Sequence, residues 1–318
     1  MRIPSFTNRN STVADLDNDL GFGNKITDSV DRLINPDGSF NVIRRGGINW
    51  QPYQSLVEMS WTKFFIFITI GYILVNALFA ILYLIVGAQN LSGIESDAQL
   101  HPFWAAFFFS IQTFTTVGYG SVSPMGMAAN LIAAFNALVG LMAFALATGL
   151  FFSRFSRPKS NIAFSEKAVF RRYHDSEYNS FQLQIVNRRH NKIINLEAQL
   201  NLSWIDHRGG NKVRRFATLS LERSKVVLFP LNWVIVHVID ENSPLWQKTR
   251  EEIEEMEPEF LIMVQGFDET YAQTIHANSS YICEQIHWNA RFKPMYYPQA
   301  GMTILELGWL HELIRLEE

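Results

Sequence analysis

Thr115-Thr116-Val117-Gly118-Tyr119-Gly120 lies inside a stretch, residues 64–153, that contains no Lys or Arg, although the chain has 27 basic residues in all. Four copies of a T-V-G-Y-G loop set around one axis offer rings of backbone carbonyls that replace the hydration shell of a K⁺ ion. The two glycines permit the backbone turns that aim successive carbonyls the same way, which a Cβ disfavours. Thr116 adds a hydroxyl to the innermost site, while Val117 and Tyr119 are expected to point outward and brace the loop. The reading is an ion selectivity filter at Thr116, Val117, Gly118, Tyr119 and Gly120. K⁺ at the filter is the only metal expected, as transported ion rather than cofactor.

Working outward, Thr62–Val86 reads as an apolar helix of roughly 37 Å, enough to cross a ~30 Å hydrocarbon core. On the other side, residues 124–155 give a helix of roughly 48 Å, which must tilt or project from the bilayer. Its Gly140, Ala143, Ala145, Ala147 and Gly149 let neighbouring helices come close. Pro102 starts a third helix over Phe103–Phe114, too short to cross and therefore re-entrant. Irregular backbone at membrane depth needs a wall of protein or a water-filled path. Two spans cannot build that wall, and a K⁺ filter needs four loops, so each chain is expected to join three identical subunits in a homotetramer. The negative C-terminal end of the short helix then faces a central cavity and favours a cation there.

The flanks set the orientation. Arg44, Arg45 and Lys63 precede the first span, Arg154, Arg157, Lys159 and Lys167 follow the second, and the loop between carries Glu95 and Asp97 near His101. The positive-inside rule places both termini in the cytoplasm. Residues 1–35 have no signal-peptide core, so the first span is expected to direct insertion. A net charge of −3 without a basic block points away from nucleic acid. No H-E-x-x-H or G-x-x-x-x-G-K-[ST] occurs, and the chain is not expected to be an enzyme. Cys283 is the sole cysteine and reads as a buried thiol.

Four domains follow: a disordered N-terminus (1–34), a strand and interfacial slide helix (35–61), the pore domain (62–158) and a β-sandwich (159–318). Within the second, Asn35-Pro36-Asp37-Gly38 is a turn signal and Phe40–Ile43 a short strand. Ile48–Met59 spaces Trp50, Tyr53, Leu56 and Val57 as a surface helix would, with an ordinary loop as the alternative. In the last, residues 181–185 and 198–204 alternate apolar and polar, while 226–229, 233–239 and 260–264 are short β-branched or aromatic runs. Turn signals at 207–210, 242–244 and 257–258 separate them, and 251–256 reads as a short acidic surface helix. Many short strands with turns imply an immunoglobulin-like sandwich.

Polar residues inside spans are costly and face protein or a pore. Asn136 has two readings, one toward the inner cavity and one as an interhelical hydrogen bond. Asn76 and Thr148 read as internally satisfied, and His237, within a strand run, as a satisfied core residue.

The order of surface helix, span, T-V-G-Y-G loop, span, Arg-Pro-Lys linker and β-rich domain resembles the inward-rectifier potassium channel family, most closely its prokaryotic branch. The resemblance covers about residues 35–318 and includes blocks at 130–159, 162–165, 186–189, 229–233, 239–245, 266–270 and 273–281, with Trp288. It implies a hinge at Gly149, a gate near Leu150 and Phe152, and an inner cavity that includes Phe144. It further implies contacts of Arg154, Arg157 and Lys159 with anionic lipid headgroups. A loop of Tyr271, Ala272, Gln273, Thr274, Ile275 and His276 would form a constriction of the cytoplasmic pore. It implies passive conduction in a bacterial inner membrane, block by Ba²⁺, and gating by the inner-helix bundle coupled to the cytoplasmic domain and to anionic lipid. Departures are equally specific. Phe144 replaces the acid of strong rectifiers, so Mg²⁺ or polyamine block there should be weak. Gln112 and Val122 replace a Glu–Arg pair of eukaryotic members, their outer cysteine pair is absent, and Asn278 replaces an Arg. The rival from another class is a membrane-anchored sensor with a vestigial pore.

Overall fold

The Ser60 side chain accepts from the Lys63 amide and opens the first span. The computed structural model describes residues 21, 32–43, 45–46, 51–94, 101–156, 160–206 and 212–316. The chain forms two units, one of residues 47–157 and one of residues 1–46 with 158–318.

The first unit holds α1 (Pro52–Glu58), α2 (Trp61–Val86), α3 (Pro102–Phe114) and α4 (Gly126–Phe155). Prolines stand in the first turns of α1 and α3, where the missing N–H costs no helical bond. His101 caps α3 by accepting from the Phe103 amide at 3.3 Å. Of these helices, α2 and α4 are long and apolar enough to cross a membrane. The inner span starts at Gly126 rather than 124, because Ser123–Pro124 (β2) pairs antiparallel with Leu91–Ser92 (β1). Phe79, Ala80 and Tyr83 of α2 pack on Ala106 and Phe109 of α3, with Val139 of α4 beside them. The surface helix is shorter than expected at Pro52–Glu58, and Trp50 lies outside the described residues.

The second unit is a sandwich of two five-stranded sheets. Its strands are β3 (Ile162–Phe164), β4 (Ala168–Arg172), β5 (Asn179–Asn187), β6 (Ile193–Asp206), β7 (Val213–Leu219) and β8 (Lys225–Leu228). They continue as β9 (Asn232–Ile239), β10 (Glu259–Asp268), β11 (Gln273–Ile282) and β12 (Ile286–Trp288). One sheet runs β11-β10-β6-β7 with β8 on β6, the other β12-β4-β5-β3 with β9 on β5. Between them Phe181 stacks on Phe260 with centroids 3.9 Å apart, and Phe170 stacks on Trp288 at 4.5 Å. The five strands expected from alternation and β-branched runs are β5, β6, β8, β9 and β10. The pairing of β12 with β4 is parallel, where a plain immunoglobulin sandwich is antiparallel. Two small ladders close the chain: β13 (Ala290–Phe292) with β16 (Leu313–Arg315), and β14 (Tyr296–Gln299) with β15 (Met302–Leu305). The acidic helix is α5 (Arg250–Glu255), with Ile253 buried beneath it.

Three expectations need correction in this unit. The strand at Phe40–Ile43 reduces to one bridge, Ile34 to Phe40, closing the Asn35–Gly38 turn. Residues 32–34, assigned to a disordered tail, are held against the sheet: Leu33 and Ile34 are buried with Phe216 and Leu261. Their amides donate to the Glu259 carboxylate at 2.8–3.1 Å, and Arg32 donates to the Ser280 hydroxyl at 2.8 Å and to Gln285 at 2.9 Å. Most of the remaining N-terminal tail lies outside the described residues. Cys283 is half-buried rather than buried, and desolvation with nearby Glu254 and Glu284 pushes its thiol up to about 11.

His237 is the satisfied core residue expected. Its ring nitrogens lie 2.6 Å from the Ser220 carbonyl and 2.8 Å from the Ser243 hydroxyl, and burial lowers its pKa.

Candidate ion-conduction site

The apolar helix α3 stops at Thr115, and the next five residues hang from its last turn. The Val117 amide donates to the Gln112 carbonyl at 2.9 Å and the Thr116 amide to Thr113 at 3.1 Å. Backbone φ is positive at Thr116 (60°), Gly118 (55°) and Gly120 (81°), at every second residue. For a β-branched threonine this is an outlier, of the kind found where surrounding structure imposes it for function. At the two glycines a Cβ would meet nothing within 4 Å, so conformation rather than space demands them. Val117 and Tyr119 are exposed in the single chain, Tyr119 to 79%.

On α4, Asn136 is 0% exposed. Its Nδ2 donates to the Ser110 carbonyl at 3.2 Å and the Ser110 hydroxyl at 3.1 Å. The inner-cavity assignment of Asn136 is thereby corrected in favour of its interhelical reading, because its amide is taken up by α3. Phe144 is 73% exposed, on a surface the single chain leaves open. Asn76 donates to the Tyr72 carbonyl at 2.9 Å and accepts from Ser110 at 2.8 Å, and Thr148 donates to Phe144 at 2.9 Å, as expected. Gly149 sits in unbroken helix with open space at its Cβ position, and Phe152, one turn from the end of α4, is exposed.

Arg154 is used differently from the expected headgroup contact. Its Nη1 donates to the Leu56 carbonyl and, at 3.1 Å, to Val57, and its Nη2 donates to Met59 at 2.7 Å. These carbonyls at the end of α1 lack helical partners, so a cation with several donors is drawn to them. Arg157 and Lys159 lie outside the described residues.

The constriction loop is also redrawn. The turn is confined to residues 269–272, with Ala272 at φ 50°, while Gln273, Thr274, Ile275 and His276 belong to β11 and pair with Asp268 through Gln265. Buried Ile275 between exposed Thr274 and His276 is the strand alternation that sequence reading passed over.

Ser110 and the Gly140 contact were missed as parts of one site. A lone serine in Phe107-Phe-Phe-Ser-Ile111 was the available signal. A Cβ at Gly140 would come 2.0 Å from the Phe114 carbonyl oxygen, so only glycine lets α4 touch the end of α3.

A half-helix that delivers this loop between two spans defines an ion-channel pore. A model described as "Ion channel" matches residues 67–157, and one for the inward rectifier potassium channel C-terminal domain matches 162–304. The inward rectifier potassium channel Kirbac3.1 of Paramagnetospirillum magnetotacticum is 34% identical over 288 residues, 89% of this chain and 95% of that one. The mouse G protein-activated inward rectifier potassium channel 3 is 26% identical over 308 residues, covering 88% of this chain and 77% of that one. The chain belongs to the inward rectifier potassium channel family. Among solved structures, Spo0M of Bacillus subtilis overlaps 40% of this chain and 49% of its own at a TM-score of 0.21, which carries no argument.

Proposed function

We propose that four copies of this chain form a K⁺-selective pore that conducts passively across a bacterial inner membrane, with both termini in the cytoplasm. The observation that carries this reading is the alternation of positive φ at Thr116, Gly118 and Gly120 in a loop hung from the end of a half-helix. With every second residue turned, successive carbonyls can address one axis, and three further copies complete each ring. The exposure of Tyr119 and Phe144 fits surfaces that other copies cover. Opening is a movement of the α4 bundle near Gly149, Leu150 and Phe152, coupled to the β-domain, with anionic headgroups drawn to Arg157 and Lys159. A headgroup biases gating only through different affinities for the closed and open states.

The test is ⁸⁶Rb⁺ uptake into liposomes holding the purified full chain, with Ba²⁺ block and Na⁺ competition as controls. Ba²⁺-sensitive uptake that Na⁺ does not compete is expected, and Gly118→Ala should abolish it. No uptake by a verified tetramer across lipid compositions and pH values would move the membrane-anchored sensor ahead.

A further inference from the structure

The side chains of Asn76, Ser110 and Asn136 meet inside the membrane unit, with the Tyr83 hydroxyl 3.5 Å from Asn136 Nδ2. The Ser110 hydroxyl donates to Asn76 of α2 at 2.8 Å and accepts from Asn136 of α4 at 3.1 Å, and all three residues are 0% exposed. A single hydroxyl in the middle of α3 thus ties that helix to both spans at once. The orientation of the Asn136 amide is settled by its neighbours. Its Nδ2 faces the carbonyl and the hydroxyl oxygen of Ser110, and a turned amide would set two carbonyl oxygens against each other. Its Oδ1 finds no donor among the described residues. A buried polar group left this way is costly, so packing alone does not explain a polar residue here.

The geometry extends the tie to the loop that follows. Asn136 and Gly140 stand one turn apart on α4, and they meet α3 at Ser110 and Phe114, also one turn apart. Between those two contacts lies Gln112, whose carbonyl receives the Val117 amide at 2.9 Å and the Gly118 amide at 3.3 Å. A shift of α3 in either direction therefore carries Val117 and Gly118 with it.

We infer that Ser110 is a positioning residue for ion discrimination: its hydroxyl, bridging Asn76 and Asn136, fixes the height of α3 and so the spacing of the carbonyl rings. This rests on the potassium-selective reading of Thr116–Gly120. A bridge serving only stability would change yield or melting, and leave the choice between ions alone.

The experiment is the Na⁺ to K⁺ permeability ratio of the reconstituted full-length channel, with Ba²⁺ block measured beside it. Ser110→Ala should raise the ratio about threefold or more, the scale of one lost interhelical hydrogen bond. Ser110→Thr, which keeps the hydroxyl, should restore it, and Asn136→Ala added to Ser110→Ala should raise it further, because it also removes the bond to the Ser110 backbone carbonyl. A tetrameric Ser110→Ala channel with unaltered ratio and Ba²⁺ block would overturn the inference. If Ser110→Ala fails to assemble, Asn76→Ala removes one arm of the bridge, and the same two outcomes decide. A wild-type channel that passes Na⁺ as readily as K⁺ sinks the filter reading itself. A selective wild type with a selective Ser110→Ala sinks only the bridge.

Discussion

The guanidinium of Arg154 lies 4.5 Å from the ring centroid of Trp61 while its nitrogens bind the carbonyls that end α1. Phe64 stands on the same cation at 4.4 Å, and its ring meets Phe151 edge-on at 5.2 Å. One side chain near the end of α4 therefore holds α1 and the start of α2. The planar fork is what makes this possible, since it donates at its edge and stacks on its faces.

Arg154→Ala should release α1. Charge-assisted bonds of this kind contribute about 1.5–3 kcal/mol, so amide exchange across residues 52–58 should quicken about tenfold or more. Arg154→Lys should recover little, because one ammonium cannot serve three carbonyls and two rings. Exchange mass spectrometry on the detergent-solubilised channel checks both, and unchanged protection in Arg154→Ala would refute the lock.

Glu259→Gln should loosen the N-terminal hairpin from the β-domain. The carboxylate is 2% exposed, accepts from Leu33 and Ile34, and lies 3.9 Å from buried Arg214. Weakening these bonds beside a buried cation should cost about 1–3 kcal/mol. The expected readout is a lower melting temperature with faster exchange at Leu33 and Ile34.

His237 gives the β-domain an acid limit. Burial disfavours its protonated form, so the folded pKa lies below the unfolded value of about 6.5. Below that value the unfolded chain binds the extra proton first. Stability is thus full above pH about 6.5 and falls as pH drops toward the folded pKa. Melting curves from pH 7.5 to pH 5 should show this fall, and His237→Asn should flatten it.

Two glycines of α4 should behave oppositely. Gly140→Ala sets a methyl 2.0 Å from the Phe114 carbonyl oxygen, so the channel should fail to assemble or lose K⁺ flux. Gly149→Ala meets nothing within 4 Å and should stabilise the helix by about 1 kcal/mol. If α4 bends at Gly149 on opening, that variant keeps its tetramer and loses flux. Size-exclusion profiles paired with ⁸⁶Rb⁺ uptake separate the two cases.

Legibility followed the range of the interaction involved. The spans, the half-helix and the loop at 115–120 were readable because hydrocarbon length and backbone chemistry are local properties. Strand β5 was readable because it alternates, whereas β11 carries Asn278, Ser279 and Ser280, which pair with the N-terminal hairpin and look like a loop in isolation. Arg154 read as a headgroup ligand because nothing in its flanking residues announces the carbonyls of α1.

By itself the sequence determined a two-span membrane unit, the loop at 115–120 and a β-rich domain, since apolar length, period and left-handed backbone demands are written into consecutive residues. Only the tertiary structure decided that Asn136 belongs to Ser110 rather than to the cavity, and that Arg154 closes on Trp61 and α1. Those outcomes depend on where helices distant in the chain cross, because a buried polar group must find its partner wherever packing brings one.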